Sequence, residues 1–218
     1  MSHDDVIDHL AEIAPGSPLD AIRRARPDAR EHAQQSFLAL LEPAEPGELA
    51  LEQRYAIAAY VALLHEREAE PTRLSAFYLE LLADAAEPAV VDAVRDAAAA
   101  GRASGPYGGY RESALQDETL LGPSARVERG VLGEPLAAAL EHAHLLVLHP
   151  RDARPESLRA LVDAGWHADA MVSLSQLVAF LAFQLRLVHG LRALAAAPAS
   201  ASAPASASTP AELQEARA

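Results

Sequence analysis

The run of residues 170–191, AMVSLSQLVAFLAFQLRLVHGL, leaves few options for the chain that carries it. Roughly 20 apolar residues suffice to span a bilayer as a helix, so this segment either crosses a membrane or is enclosed by other protein. Gln176, Gln184, Arg186 and His189 interrupt it, and an arginine near mid-membrane costs at least about 2.5 kcal/mol. The reading is therefore a buried helix and no membrane span. Apolar residues fall on nearly every side of it, the pattern of a helix enclosed by neighbouring helices or by neighbouring subunits.

A helix of that kind needs partners, and the composition supplies helical ones. Half of the 218 residues are apolar but only 5% are aromatic, so the core must be built mainly from Ala, Leu and Val. Ala and Leu are strong helix formers and the β-branched content is modest. The expected fold class is all-α. At roughly 100 to 200 residues per domain, the length allows one sizeable core or two small ones, or one domain with an internal duplication.

Proline and glycine divide the rest into helix-length pieces. Residues 6–26 carry short helical patterns broken by Pro15, Gly16 and Pro18 and closed by Pro27. Asp28 is placed to cap a helix over 29–41, with Phe37, Leu38, Leu40 and Leu41 as its apolar face. Residues 49–68, free of internal Gly and Pro, predict a long core helix, and 72–86 its partner through Leu74, Phe77, Tyr78, Leu81 and Leu82. Pro88 opens another helix to about residue 100, and 101–122 reads as a long loop. Helical signal resumes over 134–148 and 156–164, with Gly165 as a stop, before the apolar helix begins near residue 169. Four regions result: a helical half over 1–100, a Gly/Tyr linker over 101–133, a second helical half over 134–195, and an Ala/Ser/Pro tail over 196–218 expected to be disordered.

Several chemistries are excluded or disfavoured at this level. A formal charge of −13, with the arginines scattered among acids, would repel a phosphate backbone. The opening MSHDDVIDHL shows no basic region followed by an apolar stretch, so no secretory signal is read and a cytoplasmic address is expected. With no cysteine, the chain has no disulfides, no thiolate nucleophile and no cysteine-ligated zinc. Glu141 and His144 have the Glu-x-x-His spacing of carboxylate-bridged di-iron bundles, but no second copy exists, so no metal is expected. His142 and His144 point to opposite sides of a helix and cannot chelate together. The glycine-rich stretch 101–109 lacks the GK[ST] of a phosphate loop, Ser173 and Ser175 lack a nucleophile-elbow context, and no cofactor is indicated. Tyr107 and Tyr110 could form a lid, though pinning the linker to the core is the favoured role.

The segment HLLVLHPRDARPESLRAL, the AGW turn at Ala164 to Trp166, and LSQLVAFLAFQLRLVHGL resemble the C-terminal half of peroxidase-related proteins of the AhpD-like, or carboxymuconolactone decarboxylase (CMD), superfamily. In that group the last helix carries an aromatic-rich run followed by an Arg, here AFLAFQLR ending at Arg186. The earlier segment LEQRYAIAAYVALLHEREAEPTRLSAFY is similar to the other half of the pattern, in which a helix opening with a Glu leads to CxxC and then a His. Glu52 stands near that Glu, but His65, Glu66 and Ala69 fall where the thiols should be. The resemblance implies an AhpD-like fold of two related helical halves and a homo-oligomer, commonly a trimer or hexamer. It also implies an alkylhydroperoxidase-related, antioxidant activity. Thiol-dependent peroxide reduction needs a thiolate to attack the O–O bond and a second thiol to resolve the product. This chain has neither, so any such role implies non-thiol chemistry or a thiol-bearing paralogue as partner.

The candidate residues are Glu52, His65, Glu66 and Arg186. Glu52 and Arg186 are expected on packed, core-facing helices, where they would orient a substrate carboxylate, hold a catalytic base, or form an internal ion pair. His65 and Glu66 are candidates for an acid and base, or else a solvated helix end. His149 and His189 are expected as hydrogen-bonded core residues. The alternative to an enzyme is a helical scaffold or small-molecule binding protein that has lost the site.

Overall fold

The computed structural model describes residues 5–66 and 71–197. Its regular elements are helices throughout: α1 (Val6–Ala11), α2 (Pro18–Arg24), α3 (Pro27–Leu41), α4 (Leu51–Leu64), α5 (Arg73–Ala85), α6 (Pro88–Gly101), α7 (Gly133–Leu148), α8 (Pro155–Asp163) and α9 (Ala168–Ala196). Single 3₁₀ stretches lie at Ser113–Glu118 and Pro150–Asp152. The all-α expectation holds. The tail from residue 198 onward, and residues 67–70, lie outside the described residues.

α4 occupies the centre. Every residue from Arg54 to Leu64 is buried, and the helix packs against α3, α5, α6, α7 and α9. Its sequence explains this: after Gln53 there is no polar face to turn toward water, and Ala56, Ala58, Ala59 and Ala62 let neighbours approach from every side. Ile57 and Tyr60 are fully buried, and a buried side chain of that size stabilises by roughly 1.5 to 3 kcal/mol. Because α4 meets both α7 and α9, the two halves of the chain share one core.

The helix enclosed within the single chain is thus α4, whereas α9 is covered by neighbouring helices on one side only. One side of α9 packs on α1, α3, α4, α7 and α8. The opposite side, with Val172, Gln176, Ala179, Phe183 and Arg186, is exposed. Two helix ends differ as well. Pro27 takes the first position of α3 and Asp28 lies inside the first turn, so Asp28 does not cap. α4 ends at Leu64 with His65 as its C-cap, short of the expected residue 68.

Two arginine networks, neither legible as apolar periodicity, fix the first half. Arg23, 8% exposed, donates through Nη2 to both oxygens of Asp5 at 2.8 Å and through Nε to Asp8 at 2.8 Å. Arg30 adds bonds to the same two carboxylates from α3, so α1, α2 and α3 are tied at one point. Arg54 donates to three backbone carbonyls: Leu49 at 2.9 Å, Leu40 at 2.8 Å and Pro46 at 2.9 Å. Leu40 is in the last turn of α3, where carbonyls have no helical partner, so Arg54 both ends α3 and shapes the turn into α4.

The segment between α6 and α7 forms a strap rather than a free loop. It carries one isolated bridge, Gly108 to Leu120, and is held at intervals by α7 and the turn after it. His144 meets the Gly101 carbonyl at 2.9 Å, the Tyr107 amide donates to the Leu148 carbonyl, and Gly109 donates to Asp152 at 3.2 Å. His149 meets the Pro123 carbonyl at 2.8 Å, and Glu141 accepts from the Val127 amide and from Arg129. Tyr107 packs on His149 and Tyr110 lies under the Arg151 guanidinium at 4.1 Å, so the two tyrosines pin the segment.

Candidate functional site

α4, α7, α9 and the strap converge around a pocket of about 570 Å³ at the C-terminal end of α4. His65 and Glu66 supply one wall, Val147 and Leu148 of α7 a second, and Arg186 of α9 a third, while Arg102 to Pro106 at the start of the strap close it. Three of the four sequence-predicted residues therefore meet. Glu52 does not. It is exposed in the first turn of α4, a helix length, roughly 20 Å, from His65 at 1.5 Å per residue.

The expected Glu52–Arg186 ion pair is accordingly absent, and neither residue faces the core. Arg186 is exposed, and its Nη1 reaches only the Ala182 carbonyl of its own helix, at 3.3 Å. Its positive charge is thus not neutralised by a carboxylate among the described residues. Because both side chains stand in water, Glu52→Ala and Arg186→Ala should each shift the unfolding free energy by no more than about 0.5 kcal/mol. Denaturant melts of the two variants check this, and a loss of several times that size would mean that one of them is buried.

His65 is held differently. Its Nδ1 lies 2.8 Å from the Val61 carbonyl oxygen, so Nδ1–H donates there and the lone pair of the neutral ring resides on Nε2. That Nε2 is sealed from solvent and has no hydrogen-bond partner among the described residues. Burial above all holds the ring below the ordinary imidazole value, with Arg186 and His189 acting in the same direction; the Val61 carbonyl and Glu66 act the other way. Glu66, 6% exposed, accepts a hydrogen bond from the Thr72 hydroxyl. Thr72 in turn caps α5 through the Leu74 amide. HEREAE is therefore not a solvated helix end at its first two positions, His65 and Glu66.

The remaining histidines and acids sort by partner. His149 is buried as expected, whereas His189 is exposed. Glu141 is engaged by Arg129 at 2.6 Å, and His144 by Gly101, so the Glu-x-x-His pair points to two different protein partners. No group of three His, Asp or Glu close enough to hold a metal occurs among the described residues. A second hollow, about 400 Å³, lies between α1, the end of α3 and α5, floored by Leu10 and Phe77 and edged by Glu42, Glu80 and Asp84. None of the sequence-predicted residues reaches it. The strap's contribution to the His65 pocket, Arg102, Ser104 and Pro106, went unread in the sequence because an irregular segment leaves no periodic trace. Its one signal is the glycine and proline at 105 and 106, where backbone can approach Leu148 closely.

No family model matches the chain, and no curated protein or solved structure matches it either.

Proposed function

We propose that the chain is a thiol-free protein of the AhpD-like, carboxymuconolactone decarboxylase type, whose pocket binds a small carboxylate-bearing molecule. In this reading Arg186 pairs with the carboxylate and His65 acts as general base on a neighbouring proton. The observation that carries it is the setting of His65: with Nδ1–H committed to Val61, the Nε2 lone pair has no partner among the described residues, and it lies beside a guanidinium that no described carboxylate pairs. Burial keeps the ring neutral at pH 7, the form able to take a proton. A ligand must displace the atoms that seal Nε2, and Arg186, bonded among the described residues to its own helix, is placed to turn toward an anion. Any antioxidant role would draw its thiol from a paralogue. The exposed apolar side of α9, with Val172 57% and Phe183 51% exposed, supports a homo-oligomer.

Calorimetric titration with a series of small mono- and dicarboxylates tests the pocket. Saturable binding is expected, weakened at least about tenfold in Arg186→Ala, which corresponds to roughly 1.4 kcal/mol. Exchange of the bound ligand's acidic C–H into heavy water is expected to vanish in His65→Phe while binding persists. In the wild type that exchange should fall as the pH drops through the lowered value of His65 and stay level above it, because only the neutral ring accepts a proton. If no carboxylate binds, the reading fails.

A second reading, a binding or scaffold protein without catalysis, is favoured by one specific observation. Glu66 is committed to Thr72 and His65 to the end of α4, so both side chains have structural tasks. On that reading His65→Phe alters the melt and leaves ligand exchange, if any, unchanged.

A further inference from the structure

The hollow between α1, the end of α3 and α5 joins an apolar floor to a rim of carboxylates. Along α5, Arg73, Phe77, Glu80 and Asp84 recur at steps of three and four, which places them on one face of the helix. Phe77 is held in place by Phe37 at 6.3 Å and, edge on, by Tyr78 at 5.1 Å. Leu10 of α1, fully buried in the chain, completes the floor. The apolar surface is therefore preformed, set by rings that pack on one another.

Glu42, the C-cap of α3, joins Glu80 and Asp84 at the rim. None of these three acids is paired with a cation among the described residues. Arg73, the guanidinium that lines the same hollow, bonds to Glu12 at 3.1 Å. Glu80 and Asp84 stand one helical turn apart, where like charges repel, and the chain as a whole carries a formal charge of −13, so its field draws cations inward. Tyr55 of α4 adds an independent sign of the same polarity. It is 8% exposed, its hydroxyl has no hydrogen-bond partner among the described residues, and burial first, then Glu42 and Asp84, push that hydroxyl up.

A metal ion does not match this arrangement. No three His, Asp or Glu side chains among the described residues stand close enough to hold one, whereas a hard cation needs several oxygens converging at short range. Carboxylates spread around an aromatic floor suit a larger cation with a diffuse charge and an apolar body. The hollow, about 400 Å³, falls within the range of small-molecule sites, roughly 300 to 1,000 Å³. We infer that it binds an organic ammonium ion of the arylalkylamine class, with the charge among Glu42, Glu80 and Asp84 and the hydrocarbon laid on Phe77 and Leu10. The site shares no lining residue with the His65 pocket and stands whether or not that pocket binds a carboxylate.

Calorimetric titration of the full chain with 4-phenylbutylammonium tests the site. Saturable binding is expected, weakened at least about tenfold in the double variant Glu80→Gln/Asp84→Asn and unchanged in Arg186→Ala. Both acids are exposed, so the double variant should melt as the wild type does; should it not, Glu42→Gln on α3 gives the same reading. Neutral 4-phenylbutan-1-ol and bare methylammonium each carry half of the recognised chemistry and should bind at least about tenfold more weakly than the probe. Absence of probe binding would overturn the assignment, as would an alcohol that binds equally well. Methylammonium matching the probe would reduce the site to a diffuse counterion surface and overturn it too. So would an affinity untouched by loss of the rim carboxylates or lowered by Arg186→Ala, since the probe would then sit elsewhere.

Discussion

Arg54→Ala is expected to lower the unfolding free energy by about 3 to 5 kcal/mol, because three carbonyls lose their donor at once and an unpaired buried polar group costs about 1 to 3 kcal/mol. The Leu49 bond is fully buried, and those to Leu40 and Pro46 are partly so. The guanidinium is itself disfavoured by burial, which draws it below its ordinary value, but an arginine remains charged and its fork serves all three acceptors together. Lysine at this position should recover only part of the loss, since an ammonium cannot reproduce the planar fork. Denaturant unfolding of both variants checks the size and the order. A change below about 1 kcal/mol in Arg54→Ala would mean that water enters the turn and replaces the side chain.

Arg23→Met is expected to cost about 3 kcal/mol, the lower end of what breaking a buried ion pair entails. The substitution leaves Asp5 and Asp8, whose side chains are 6% and 15% exposed, with only Arg30 among the described residues to neutralise them both. Arg30 is one-third exposed and bonds to both acids, which is why the loss should fall short of the upper end. Combining Arg23→Met with apolar replacements at Asp5 and Asp8 should recover much of the stability, because removing a whole buried charge group is far less costly than orphaning part of it. Equilibrium melts of the single and combined variants make the comparison. Equal destabilisation in both would show that packing, and not unpaired charge, dominates at this junction.

Helix existence was legible in the chain wherever proline, glycine and apolar spacing coincided: α3, α5, α6, α7 and α8 begin and end within two residues of the expected places. Helix orientation was less so. α4 carries no polar stripe after Gln53, so nothing in its sequence says which side meets which neighbour, and Glu52 looked like a core residue although burial begins only at Arg54. In α9 a signal was present and went unread. Gln176 and Arg186 share one side with Val172, Ala179 and Phe183, and two polar residues at that spacing mark an outer face. His65, Glu66 and Arg186 were singled out through the resemblance, as the residues standing where the thiols and the arginine of that pattern fall, and they line one pocket. The partners of Arg23, Arg54 and His149 could not be found this way, since side-chain bonds to distant backbone or to acids on other helices follow no period.

The enclosure of α4 from Arg54 to Leu64 has a consequence for any attempt to dissect the protein. Severing the polypeptide in the strap would leave one fragment with the α7 and α9 sides of its central helix facing water, and the other with two long apolar rods and nothing to wrap. Each piece would expose apolar surface that the other covers in the whole chain, so additions to the chain are best accommodated on its surface strap.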